Sequence, residues 1–334
     1  MGCMRAAVLA NYLEVAKQLG VDASTQLRRV GLHPRVIDTP DALIPADAIV
    51  SLLEETARVS QCETVGLRLS QPRSMSGFGV VGLLLAQQPN MRDAMNMAFR
   101  YLPLINESLA LRLEESGDTA LLVEEVLTDS AQPIRHAIEL ALASNLKLFR
   151  TFLGAQWTPR TVYLRHSAPR ARSEHQRIFR CRCVFDADIN GMSFARSDLD
   201  VPNPMADPAL GRYAASLIES IPLTGSDSTS ARVRRMVHLL MPLQRASIKE
   251  VAHSLGVSVR TLQLALAAEH VEFSMLLDQA REAQARQYLV NRHFDISQVA
   301  SLLGYTQPNS FTRWFSLRFG QSPTAWRRQA ASVS

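Results

Sequence analysis

Two stretches, IKEVAHSLGV at 248–257 and ISQVASLLGY at 296–305, decide how this 334-residue chain is read. Ile248, Val251, Ala252, Leu255 and Gly256 recur 48 residues later as Ile296, Val299, Ala300, Leu303 and Gly304. In each copy a Val and a Leu four residues apart mark one face of a short helix. The intervening Ala lets a second helix cross closely, and the Gly permits a turn with positive φ. Ser258 and Thr306 then fall where the N-cap of a following helix belongs. Leu262 and Leu266 continue the buried face in the first copy, Phe311 and Phe315 in the second, at an offset of 49 rather than 48. The pattern is a helix-turn-helix written twice, over 247–268 and 295–319.

The segment Phe273–Arg292 between the copies, rich in Ala, Gln, Arg and Leu, reads as a connecting helix. At 1.5 Å per residue it spans roughly 28 Å. Successive major grooves on one face of B-DNA lie about 34 Å apart. One chain is therefore expected to place both recognition helices in adjacent grooves of double-stranded DNA, on an asymmetric site.

Charge supports this placement. The net charge of +5 is unevenly spread: residues 1–225 carry 23 Lys and Arg against 24 Asp and Glu, and residues 226–334 carry 13 against 7. All the excess positive charge lies in the last third, which suggests a polyanion partner for that module. Twelve of its 13 cations are Arg, the side chain suited to bidentate contact with bases and phosphates.

Residues 246–328 resemble the DNA-binding domain of the AraC/XylS transcription regulators. The likeness is most specific from Gly304 and Tyr305 through Phe311, Phe315, Phe319, Gly320, Ser322 and Pro323 to Trp326 and Arg327. The first part resembles the arabinose-binding-like, ligand-sensing domain of one branch of that family, most closely over Ile178–Leu210. The resemblance implies base contacts at Arg260, Gln263 and Leu264. Arg suits guanine and Gln suits adenine. Many relatives carry a polar residue where this chain has Leu264 and Ala265, so the first helix has fewer hydrogen-bonding groups. In the second copy Asn309, Thr312 and Arg313 face outward and are the base-contact candidates. Ser258, Thr306 and Gln307, near helix N-termini, and Arg318, Arg327 and Arg328 are candidates for the phosphate backbone.

Upstream, the pattern is mixed. Helices are expected over Ala6–Leu19, Pro45–Val59, Phe78–Gln87, Met91–Leu102 and Ile134–Phe152. A hairpin is expected where 108–114 and 120–126 flank Ser116-Gly117-Asp118. Further strands are read at Arg160–His166 and Arg182–Phe185, around a helix near Arg172–Phe179. The fold class is thus an α+β N-terminal sensing and dimerisation domain over residues 1–220. A flexible linker at 221–230 follows, then an all-α domain over 231–334 in which a linker helix joins two helix-turn-helix motifs.

Other chemistry finds little support. The segment 77–82 fits G-x-G-x-x-G but lacks the preceding strand and the acid downstream that a dinucleotide site requires. Cys3, Cys62, Cys181 and Cys183 show no zinc-type spacing, and His136, His166 and His175 are scattered, so no metal and no cofactor is expected. No nucleophile elbow, paired-carboxylate motif or P-loop appears, which argues against an enzyme. The longest apolar run, Gly77 to Ala86, is far short of the roughly 20 residues that span a bilayer, and no membrane partner is implied. The N-terminus lacks a signal-peptide core, so the chain is read as cytoplasmic.

The expected function is a transcription regulator, in the activator mould, controlled by a small-molecule effector in the first domain. Candidate effector contacts are Phe78, Tyr101, Asn106, His136, Asn145, Phe149 and Trp157. RNA polymerase and a second copy of the chain are the further partners expected. The alternative is a ligand-independent regulator whose first domain only dimerises.

Overall fold

The computed structural model describes residues 2–71, 75–129, 132–219, 228–291 and 293–331. The chain opens with a short strand β1 (Cys3–Arg5), helices α1 (Tyr12–Gln18) and α2 (Ala23–Arg29), and a strand β2 (Leu43–Pro45) antiparallel to β1. Helices α3 (Ala46–Ser60), α4 (Val65–Ser70), α5 (Gly79–Ala86) and α6 (Met91–Tyr101) follow. Tyr12, Leu27, Leu52, Leu53 and Val65 form a helical core of their own.

The hairpin falls where it was expected. Strands β3 (Leu109–Ser116) and β4 (Thr119–Val126) pair antiparallel, with Ser116 opposite Thr119 across a turn whose Gly117 has φ +58°. Helix α7 (Arg135–Leu153) follows, then β5 (Thr161–Tyr163), α8 (Ser173–Phe179), β6 (Arg182–Val184), β7 (Gly191–Ala195) and α9 (Pro208–Glu219). The five-stranded sheet runs β3-β4-β7-β5-β6, antiparallel except for the β5–β6 pair. Two expectations change here. The strand read over Arg160–His166 ends at Tyr163, and β7, not anticipated, is the strand that joins the hairpin to β5.

Alternation along β4 sets up the whole arrangement. Leu122 and Val126 face a core shared with Leu142, Leu146 and Phe149 of α7. Val123, on the opposite face, packs with Ala110 against Leu239. Both faces of the hairpin are therefore covered, which is why β4 reads ALLVEEV rather than alternating cleanly. Helix α7 is itself buried on several sides, because α4 lies against its outer face. Gly66 makes that crossing possible: a Cβ there would lie 2.0 Å from the carbonyl oxygen of His136.

Leu239 belongs to α10 (Thr229–Leu240), the first helix of the C-terminal half. The expected linker lies mostly outside the described residues, at 221–227, and its last residues 229 and 230 begin α10. Helices α11 (Ile248–Ser254), α12 (Val259–Ala268), α13 (Phe273–Val290), α14 (Ile296–Leu302), α15 (Pro308–Phe319) and α16 (Pro323–Ala331) complete the chain. They share one core, in which Val237, Val251, Leu266, Tyr288, Val299 and Phe315 are buried. The fold class is as expected: an α+β half followed by an all-α half with two helix-turn-helix motifs.

Candidate nucleic-acid interface

Each helix-turn-helix is built from local rules. Ser247 caps α11 by accepting from the Glu250 amide, and Gly256, at φ +67°, turns the chain. Ser258 then caps α12 by accepting from the Thr261 amide at 3.0 Å. In the second copy Asp295 and Gln298 form a reciprocal capping box on α14, and Gly304 turns at φ +75°. Here the expectation for Thr306 is corrected. The N-cap position of α15 is Gln307, because Pro308 takes the first helical position, where its fixed φ and missing N–H cost nothing. That one residue is the extra unit in the 49-residue offset.

Helix α12 buries Leu262 and Leu266 and leaves Arg260 and Gln263 exposed, with Leu264 61% exposed. Helix α15 buries Phe311 and Phe315; Asn309 and Arg313 are exposed and Thr312 is half-buried. Trp314 packs with Tyr305, Phe311 and Phe319, as part of the aromatic core rather than of the surface. Helix α13, eighteen residues long, holds the second unit in place. Arg281 lies over the Tyr305 ring at 4.4 Å and donates to the carbonyl of Leu303 at 3.2 Å, in the turn.

The basic residues divide by what they touch. Ser258, Thr306 and Gln307 are exposed, as is Arg328. Arg318 pairs with Glu282 of α13 at 2.7 Å. Arg327 is half-buried, and its Nε donates to the carbonyl of Leu289 at 3.1 Å, closing the end of α13. Its guanidinium thus has a structural partner inside the domain.

In the first half the expected effector contacts separate into three places. Phe78, Asn106 and Asn145 line one cavity of about 90 Å³ between α7, α6 and the hairpin, with apolar walls that include Leu102, Leu109 and Leu148. At its edge Asn145 donates to Glu124 at 2.8 Å, and burial pushes the Glu124 carboxyl up to about 8. Phe149 and Trp157 stack at 4.9 Å in the core beside Phe194, and Tyr101 is buried in the same core. His136 lines a different and larger cavity, of about 860 Å³, between the two halves. That cavity also takes in Arg135, His166, Tyr288 and Asn291.

Sequence reasoning missed what surrounds the larger cavity. Glu139 of α7, His166 after β5 and His175 of α8 come together although 27 and 9 residues separate them in turn. Nearby, Arg165 and Glu125 form a buried ion pair with contacts of 2.5 and 3.0 Å. Burial pushes the Glu125 carboxyl up and the Arg165 guanidinium pulls it back. Arg165 lies over the Tyr288 ring at 4.9 Å, and its carbonyl accepts from Asn291 Nδ2 at 3.2 Å. No spacing rule in the sequence announces such a cluster.

The architecture is that of a DNA-binding transcription regulator: a two-fold helix-turn-helix module behind an α+β domain. Residues 20–203 match the family described as the arabinose-binding domain of AraC transcription regulator, N-terminal, and residues 251–329 match a helix-turn-helix domain family. The chain belongs to the AraC family of transcription regulators. It is similar to the HTH-type transcriptional regulator VirS of Mycobacterium tuberculosis, with 28% identity over 97% of this chain and 96% of that one. It is also similar to the ornithine utilization regulator of Pseudomonas aeruginosa, with 22% identity over 94% and 93%. Among solved structures, the transcriptional regulator CdpR of Pseudomonas aeruginosa aligns over 92% of this chain and 96% of that one, at 21% identity and a TM-score of 0.44. These relatives are regulators, not enzymes. No helix among the described residues is long and apolar enough to cross a membrane.

Proposed function

We propose that this regulator is an effector-controlled activator that reads one asymmetric DNA site per chain, with α12 and α15 in adjacent major grooves. Residues 231–334 bind the DNA and residues 1–220 carry the effector. The observation that carries the reading is the outward face of the two helices. Arg260, Gln263, Asn309 and Arg313 are exposed on helices whose opposite faces are locked into one core. Arg313 and Asn309 have the donors and acceptors for guanine and adenine edges, and Leu264 has the apolar surface for a thymine methyl. Ser258, Thr306 and Gln307 contribute hydroxyl, amide and backbone donors to phosphates. Arg318 joins them once it leaves Glu282; Arg327 contributes through shape, by fixing α16 on α13.

The effector site in this reading is the cavity bounded by Phe78, Asn106 and Asn145. It is mostly apolar, with a few convergent polar groups, as small-molecule sites are, and at about 90 Å³ it takes only a small effector unless its walls move apart. Activation then involves RNA polymerase beside the bound chain, and a second copy of the chain as a dimer partner. Footprinting on the upstream DNA of the gene's own neighbourhood tests the DNA half: protection of two segments one helical turn apart is expected, and no protection at moderate salt sinks it. A thermal-shift screen of metabolites on the full chain and on Asn145→Leu tests the effector half. A specific ligand raises the melting temperature of the first and not of the second.

A further inference from the structure

We propose that Glu139, His166 and His175 form a binding site for one divalent transition-metal ion of the zinc class. The three side chains come from α7, the loop after β5, and α8, and their ligand atoms all lie within 4.8 Å of one another. Glu139 and His175 are fully buried. His175 Nε2 lies 2.8 Å and His166 Nε2 3.3 Å from the same oxygen, Glu139 Oε1. Donor atoms about 2.0–2.2 Å from a tetrahedral zinc are about 3.4 Å apart, so this spacing is nearly that of a coordination shell. Two imidazoles and a carboxylate, with the remaining positions open, suit zinc or another ion of the first transition row.

Hydrogen bonding separates this reading from a plain buried ion pair. His166 Nδ1 is 3.0 Å from the carbonyl oxygen of Ser167, which only accepts, so Nδ1 carries a proton. The other nitrogen, Nε2, faces the carboxylate oxygen yet makes no hydrogen bond. In the neutral ring the Nε2 lone pair is then left without a partner beside the carboxylate, and a cation held by both groups would satisfy it. The outer partners have the form that metal sites use. The Ser167 carbonyl fixes the His166 tautomer, Arg135 Nε approaches Glu139 Oε1 at 3.4 Å, and His136 Nδ1 stands 3.6 Å from Glu139 Oε2. When His175 Nε2 offers its lone pair to the ion, the neutral ring carries its proton on Nδ1, which no other hydrogen bond occupies. An entry path exists as well, since His136 and His166 line the 860 Å³ cavity between the halves.

The test uses the full chain, stripped with a chelator and re-dialysed against zinc or cobalt at micromolar free concentration. One tightly held equivalent per chain is expected by elemental analysis. The cobalt form should show nitrogen and oxygen ligation in its X-ray absorption, with two imidazoles and no thiolate charge-transfer band. His166→Gln and His175→Gln, each checked for folding by circular dichroism, should lose that equivalent. No tight equivalent in the wild type, or equal uptake by wild type and a folded variant, would overturn the assignment. So would a thiolate band, because it would move the ion to Cys62, Cys181 or Cys183. The spectroscopy of the wild type decides the matter even if both variants fail to fold, and none of these readouts depends on DNA or effector binding.

Discussion

Arg165→Met is the most revealing single change where the two halves meet. The guanidinium it removes is buried, contacts Glu125 at 2.5 and 3.0 Å, donates to the Asp188 carbonyl at 3.3 Å and covers Tyr288. Glu125 is only 2% exposed, so the variant leaves a buried carboxylate without its counter-ion. Breaking one side of a buried pair costs about 3–5 kcal/mol, roughly a fifth or more of a typical domain's 5–15 kcal/mol. For a unit of 150–250 residues that corresponds to a drop of roughly 6–20 °C in melting temperature. The pH dependence follows from the sign of the shift. Burial already holds the Glu125 carboxyl above its ordinary value, and without Arg165 it rises further. A raised folded value gives stability that is present below the unfolded value and is lost as pH rises, so the deficit should be small near pH 5 and larger at pH 7.5. Scanning calorimetry of the full chain at pH 5 and pH 7.5 measures both. Replacing the pair together, as Arg165→Met with Glu125→Leu, should recover more than half the loss, because the buried charge is then gone. A single variant within about 1 kcal/mol of wild type at pH 7.5, or a double variant no better than the single, refutes the reasoning.

Glu124→Gln tests the other buried carboxyl: with a folded value of about 8, the wild type should lose stability between pH 5 and pH 8 relative to the variant, which keeps an acceptor for Asn145. Parallel melting curves across that range check it, and identical slopes would contradict it. Arg313→Ala should relax preference at one base pair by roughly 1–3 kcal/mol, about 5- to 160-fold, in competition binding; uniform weakening on all sequences would make it a phosphate contact. Arg327→Ala should instead lower the melting temperature of the C-terminal half while leaving the salt slope of DNA binding nearly unchanged, because its Nε is engaged by Leu289. Gly66→Ala should cost roughly 3 kcal/mol, the upper end of overpacking, since its Cβ meets the backbone of α7 and no side chain can move aside.

The helix-turn-helix pair was legible because its determinants are local and doubled. Gly256 and Gly304 do adopt the positive φ their turns require, and Val251 and Val299 are buried as their spacing implies. The β3–β4 hairpin was legible for the same reason, with Ser116-Gly117-Asp118 at its tip. Strand β7 was not, since five residues pair with partners about 30 and 70 positions away and carry no turn signal of their own. Helix α10 left a readable trace, Val233, Val237 and Leu240 at helical spacing, that the neighbouring Ser-rich segment obscured. The Glu139, His166 and His175 cluster depends on how α7, β5 and α8 meet, and pairwise spacing contains nothing about that. Of the expected effector contacts, Phe149 and Trp157 stack on each other in the core beside Phe194.

How an effector could reach the DNA-binding half is a question of what the two halves share. Among the described residues, three contacts tie the C-terminal half to the sheet and the loop after β5. Leu239 of α10 packs on Ala110 and Val123 of the hairpin, Arg245 approaches Glu114 of β3 at 3.8 Å, and the end of α13 docks through Tyr288 and Asn291 onto Arg165. Helix α10 leads into α11, and α13 leads into α14, so each helix-turn-helix is tied to the first half by its own helix. The proposed effector cavity lies against the opposite face of the same hairpin, at Leu109, Leu111 and Val126. A ligand that spreads α7 from the hairpin would tilt β3 and β4, and with them the seat of α10, while the α13 seat on Arg165 stays with β5. The two recognition helices would then shift relative to each other. A reader of two adjacent grooves tolerates little such shift, because both helices must meet their base pairs at once. Domain arrangement and DNA affinity are thereby linked, and a ligand moves the balance only by its preference for one arrangement over the other.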